Sequence, residues 1–230
     1  MGIEHMGTPF MNLVKLGERL LNDVKTHTLS DTVYDLIYTR INRLTLLMAL
    51  KCVTIDAVDR SFLQGCEGYR RQFLDPATLL ALSENPEYEL EKDFLDEAVG
   101  KGDSCFAIFD GDRLASYGWY STKPTKVNED LELQFDGRYV YMYKGFTHPN
   151  YRGQRLHAIG MTMALDHYLN RGYRGLVSWV EANNIRSLRS CYRMGYRHFG
   201  EIYIVKLFRK HLILCSKGCE DYGFKVSAIH

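Results

Sequence analysis

The chain has 230 residues, 46% of them hydrophobic, and 29 Lys plus Arg set against 28 Asp plus Glu leave a formal net charge of +1. That balance argues against a partner bound through overall charge, so no nucleic acid is expected, and no apolar run reaches the ~20 residues that span a bilayer, so no transmembrane segment is expected either. Residues 1–10 lack the basic, apolar and small-residue regions of a secretory signal, and six scattered cysteines without a Cys-x-x-Cys pair read as reduced thiols, which points to the cytoplasm. Cys215 and Cys219 have only His211 nearby to complete a zinc site, so no metal is expected.

The length suits one domain with an elaboration, divided here as a helical extension over 1–45 and a main domain over 46–230. Within the extension, Leu13, Val14, Leu16, Leu20, Leu21 and Val24 make one apolar face of a helix over 10–25. That stripe needs a surface to cover, either this domain or a second subunit in a homodimer. Residues 46–55 read as a buried strand, and 61–99 as helical with breaks at Pro76 and Pro86. Residues 104–120 form a hairpin turned at Asp110-Gly111-Asp112. Residues 121–128 read as a polar loop and 131–135 as a short strand, and 196–207 and 211–214 read as closing strands.

Between them, residues 139–147 read as a strand and 153–170 as a long helix, with an apolar strand at 175–180 and a short helix from Asn183-Asn184 to Gly195. The joining segment Thr147-His148-Pro149-Asn150-Tyr151-Arg152-Gly153-Gln154-Arg155 ends the strand, turns at proline and leads into the helix N-terminus. Amides there lack internal partners and suit a phosphate, and Arg152 and Arg155 add positive charge.

The run His-Pro-x-Tyr-Arg-Gly before a helix resembles the acyl-CoA-binding motif of the GNAT superfamily of N-acetyltransferases. A second run strengthens the likeness: Leu176–Val180, Glu181-Ala182-Asn183-Asn184, Ser187-Leu188 and Met194-Gly195-Tyr196 resemble that superfamily's fifth-strand and fourth-helix signature. The resemblance implies an α/β (α+β) fold: a mixed, mostly antiparallel sheet splayed between its fourth and fifth strands, with helices on both faces. It implies a donor, acetyl-CoA or another acyl-CoA, whose pantetheine arm pairs with the backbone of Gly145, Phe146 and Thr147. The loop Arg152, Gly153, Gln154, Arg155, Leu156 and His157 would hold the pyrophosphate, and Asn184 stands in the helix signature, where it also reads as a cap. The acceptor that the resemblance implies is a small-molecule amine, attacking the thioester directly.

Two departures bear on the chemistry. Arg155 and His157 stand where the family prefers small residues; a register three residues later restores Ala158 and Gly160 but breaks the alignment with Pro149 and Gly153. The crowding keeps open a donor without the nucleotide, an acyl-phosphopantetheine on an acyl carrier protein, and a non-catalytic module that binds coenzyme A or a partner. The family's proton-donating Tyr is replaced by Cys191, followed by Tyr192. Either is a candidate acid; Glu181 and Tyr143 are candidate bases, while His148 reads as a solvent-facing turn residue with a base as the alternative. Tyr139, Tyr141 and Tyr143 share one strand face, as core packing or as an aromatic wall for an acyl chain or acceptor.

Overall fold

The structure, a computed structural model, describes Val33 and residues 46–63, 67–207 and 210–229. The expected helix over 10–25 and the extension it belongs to therefore lie outside the described residues, apart from Val33. In chain order the elements are β1 (Leu46–Ile55), β2 (Arg70–Phe73), α1 (Pro76–Ser83), α2 (Lys92–Lys101), β3 (Ser104–Asp110) and β4 (Arg113–Ser121). There follow β5 (Thr125–Asn128), β6 (Leu131–Gln134), β7 (Val140–Thr147), α3 (Leu156–Leu169), β8 (Leu176–Glu181) and α4 (Ile185–Arg193). The chain closes with β9 (Arg197–Leu207), β10 (Lys210–Cys215) and β11 (Lys225–Ala228).

Local chemistry accounts for the helix boundaries. Asp75 caps α1 by accepting from the Thr78 amide at 2.9 Å, with Pro76 in the first turn. α2 stops at Gly102, whose φ of +89° is cheap only for glycine. The region read as helical over 61–99 in fact contains β2, a four-residue strand too short to show a period of two. The polar loop at 121–128 likewise contains β5.

The main sheet runs β10-β9-β1-β8-β7-β4-β3-β2, antiparallel throughout except between β7 and β8. The mixed, mostly antiparallel sheet expected from the sequence is thus present. β1, the first strand, lies in its middle between β8 and β9. α3 covers one face. Nine of its 14 residues are buried, as befits a helix apolar almost all round, and Leu156, Ile159 and Leu165 meet Val53, Ile108, Val140 and Leu176. On the opposite face α1 and α2 cover β3 and β4. Beside them a small sheet, β11-β6-β5, covers β1, β8 and β9 through Leu131, Leu133, Phe224 and Val226.

The feature that positions a site is the β7–β8 pair. These parallel strands share only the rungs Val140↔Leu176 and Tyr141↔Val177, and then diverge. The last tie is a side chain: buried Ser178 donates its hydroxyl to the Met142 carbonyl at 2.7 Å. Beyond it β7 carries a bulge, since Trp119 faces Lys144 and Tyr120 faces Met142, leaving Tyr143 as the extra residue.

Candidate active site

Past the bulge, β7 offers an open edge. The His148 amide donates to the Ala115 carbonyl on the β4 side at 2.9 Å, so strand alternation turns the amide and carbonyl of Gly145 and Thr147 toward the cleft. Phe146 turns its backbone to β4, where its carbonyl accepts from Ser116 at 2.7 Å, and stacks its ring on Tyr117 at 5.1 Å.

The turn after β7 differs from expectation. Pro149–Tyr151 form a single 3₁₀ turn, Gly153 has φ +85° and Arg155 has φ +61°. Two left-handed residues are incompatible with a right-handed helix, so α3 starts at Leu156, about three residues later than the sequence suggested. A left-handed non-glycine residue costs on the order of 1–3 kcal/mol and persists only where its surroundings enforce it. The first helical bond is Ile159 N to Arg155 O at 3.0 Å, which leaves the amides of Leu156, His157 and Ala158 without helical partners.

These pieces converge. Gly145, Phe146, Thr147, Arg152, Gly153, Arg155, Leu156 and His157 line one cavity of about 510 Å³ together with Tyr151 and, from α4, Arg186, Ser187 and Ser190. Arg152, Arg155 and Arg186 form no ion pair among the described residues, so three uncompensated guanidinium groups share a cavity with the N-terminus of α3. Arg186 and Ser190 were missed in the sequence and Ser187 was noted only as part of the helix signature, although the i, i+3 spacing of Ser187 and Ser190 behind the Asn184 cap places them on one helix face. Asn184 accepts from the Ser187 amide at 3.1 Å and so serves as that cap.

His157 is the anomaly. A methyl group at Gly145 would collide with its Cε1 and stand 3.1 Å from its Nε2, so the imidazole lies directly against β7. Burial pulls its pKa down to about 4, and the ring is neutral at pH 7.

The remaining candidates lie outside that cavity. Gln154 accepts from the Tyr69 hydroxyl at 2.6 Å. Glu181 ends β8 opposite Leu50 of β1 and is half-buried. Cys191 packs on the core cluster under α3, and burial raises its thiol to about 11; Tyr192 is exposed. Cys191 continues the helix face of Ser187, whereas Tyr192 points about 100° away. Tyr143 donates to Asp103 at 2.7 Å; the Asp103 side chain is 1% exposed and pairs with Lys101 at 3.0 Å. That burial raises the Tyr143 pKa well beyond the usual phenol range, with Asp103 adding to it. Asp103 carries no sequence signal of its own. His148 is not solvent-facing: it is buried between Phe146 and Tyr151, with Nδ1 accepting from the Asn150 amide at 3.3 Å. The tyrosine face packs internally, Tyr141 on Tyr143 and Phe224 and Tyr139 on Tyr222.

Among the described residues no helix is long and apolar enough to cross a membrane, and no group of three or more His, Cys, Asp or Glu side chains is arranged to hold a metal ion. Solved structures that align with the chain include an aminoglycoside acetyltransferase from an uncultured soil metagenomic sample, in complex with trehalose (11% identity over 56% of this chain and 88% of that one, TM-score 0.42). A tandem GNAT protein from the clavulanic acid biosynthesis pathway aligns at 14% identity over 70% of this chain and 53% of that one, TM-score 0.49. An acetyltransferase of the GNAT family from Colwellia psychrerythraea aligns at 14% identity over 73% and 55%, TM-score 0.45. No curated protein matches the chain. The model of the Acetyltransferase (GNAT) family matches residues 68–196, more than half of the sequence and the whole stretch from β2 to the end of α4. The chain belongs to the GNAT acetyltransferase family.

Proposed function

We propose that this protein transfers an acyl group, acetyl in the simplest case, from a coenzyme A thioester to a small-molecule amine by direct attack, without a covalent enzyme intermediate. The observation that carries the reading is the shared cavity. The open edge of β7 at Gly145 and Thr147, the helix N-terminus with its free amides at 156–158 and three arginines without an ion pair among the described residues line one space. A pantetheine arm needs an amide-pairing edge, and a pyrophosphate needs concentrated positive charge and N–H donors. The arginines favour a donor with its nucleotide phosphates over a bare thioester, and set coenzyme A ahead of a carrier protein, whose phosphopantetheine brings one phosphate.

In this reading the β7 backbone holds the arm, and the bulge at Tyr143 turns a strand amide toward the reacting carbonyl, where a fixed dipole counts most. Glu181, at the open end of β8, takes the ammonium proton directly or through water. Cys191, with a thiol near 11, keeps its proton and is a weak acid, so water supplies most of the protonation of the departing thiolate. Positioning contributes the larger share of the rate.

The test is thiol release from acetyl-CoA, longer acyl-CoAs and acyl carrier protein, against a broad panel of amines. Amine-dependent release supports the proposal. Donor binding with no release across the panel would identify a non-catalytic module, and no binding of any donor would remove the reading altogether.

A further inference from the structure

We propose that His157 is a removable plug in the donor cleft, which must swing out before an arm can pair with β7, and that it thereby selects donors carrying phosphate. The inference rests on the donor reading above and concerns how that site discriminates.

The geometry gives His157 a singular place. The N-terminal turn of α3, the β7 edge that suits the arm and His157 itself line one cavity. It belongs to the first turn of α3, and its ring presses on Gly145. In the proposal, an arm that runs from the amides at 156–158 to the edge at 145–147 has to pass the imidazole packed over Gly145. Gly145 leaves no side chain to yield in its place. Of the two side chains packed there, His157 and Met142, only the histidine lines the cavity.

Nothing anchors the ring where it sits. Among the described residues no group hydrogen-bonds its nitrogens, so the closed position is held by contact alone. Arg152, Gly153 and Arg155, which line the same cavity, are exposed, and in the proposed opening the imidazole changes rotamer toward them. In that open position the ring stands where phosphates meet the α3 amides and can donate to them. Held neutral while closed by its burial, it has no stake in charge until it opens. Displacing the plug forfeits its packing against Gly145 and leaves its pocket to the arm. A phosphorylated donor recovers that loss through the imidazole; a pantetheine thioester without phosphate does not.

The experiment is isothermal titration of the full chain and its H157A and H157Q variants with coenzyme A, 4′-phosphopantetheine and pantetheine, each variant first checked for wild-type thermal unfolding. Alongside it, the histidine Cε1–Hε1 resonances of the wild type are followed during titration with coenzyme A. The expected result is that H157A binds pantetheine at least about tenfold tighter than wild type, with a smaller gain or a loss for coenzyme A, so that the preference for phosphate narrows. In the wild type the His157 resonance moves on saturation. Unchanged or weaker pantetheine binding in both variants, with coenzyme A still bound by the wild type, would overturn the plug alone. So would a His157 resonance that stays fixed at saturation. If neither coenzyme A nor phosphopantetheine binds any of the three proteins, the donor reading itself fails and the plug falls with it.

Discussion

Ser178→Ala is the sharpest probe of the cleft. The Ser178 hydroxyl is the last link between β7 and β8 beyond the two ladder rungs, a 2.7 Å bond to the Met142 carbonyl in a residue only 8% exposed. Alanine fits the space but leaves the carbonyl without its donor in a nearly dry place, which costs about 1–3 kcal/mol. At about 2–4 °C per kcal/mol for a chain of this size, the midpoint should fall by roughly 2–12 °C. The fork between the strands also loses its pin, so donor KM should rise along with the loss of stability. Ser116→Ala is the matched control. Its hydroxyl donates to the Phe146 carbonyl, also at 2.7 Å, but across the β4 side, where the ladder is continuous. It should lower the midpoint without moving donor KM. Thermal unfolding by circular dichroism and a thiol-release assay read both quantities. A Ser178→Ala protein with a midpoint within about 1 °C of wild type and unchanged KM would refute the assignment of the apex to this bond.

Arg186→Ala should raise KM for acetyl-CoA by about 10–100-fold, the worth of a charge-assisted bond to phosphate, and flatten the salt dependence of binding, while leaving the KM of acetyl-pantetheine unchanged; steady-state kinetics at two ionic strengths check both. Cys191→Ala should lower kcat by no more than about tenfold, well short of the ~10²–10⁴ of a matched general acid, and Tyr192→Phe should leave it unchanged; a larger loss in either would reassign the acid. The pH dependence follows from His157. Its folded value of about 4 lies below the reference of about 6.5, so the unfolded chain binds the proton first. The stability of the free protein is fully present above about 6.5 and is lost as pH falls toward 4. Its charged neighbours around the cavity are Arg152, Arg155 and Arg186, with no carboxylate among the lining residues, so nothing nearby opposes that direction. Urea midpoints at pH 7 and pH 5 should differ, and by clearly less in His157→Gln.

What was legible in the sequence was local. The turn after β7, the cap at Asn184 and the two apolar strands each announce themselves within a dozen residues, and the cavity gathers most of the residues those signals marked. The start of α3 was misplaced because the sequence motif cannot show that Arg155 adopts a left-handed conformation, which is set by the enforced turn and not by any preference of arginine. Arg186, Ser187 and Ser190 reach the cavity only through the placing of α4 beside α3, a tertiary fact. Asp103 was obscured for a similar reason, since it follows α2 and meets Tyr143 of β7, whereas His148 is covered by the rings of Phe146 and Tyr151 that flank it in the chain. The short strands β2, β5 and β11 have four residues each, too few for alternation to register.

The central position of β1 has a consequence for synthesis. Its partners are β8 and β9, and β9 ends about 150 residues after β1 does. At ~5–20 residues per second, a ribosome needs roughly 10–30 s to supply them. Throughout that interval the segment LLMALKCVTI, apolar, rich in strand-forming residues and bearing one charge, has two open edges, the condition under which strands pair with the wrong chain. Closure of the sheet is thus a late event in the life of each molecule, timed by the emergence of residue 207, and the nascent chain depends until then on whatever shields its first strand.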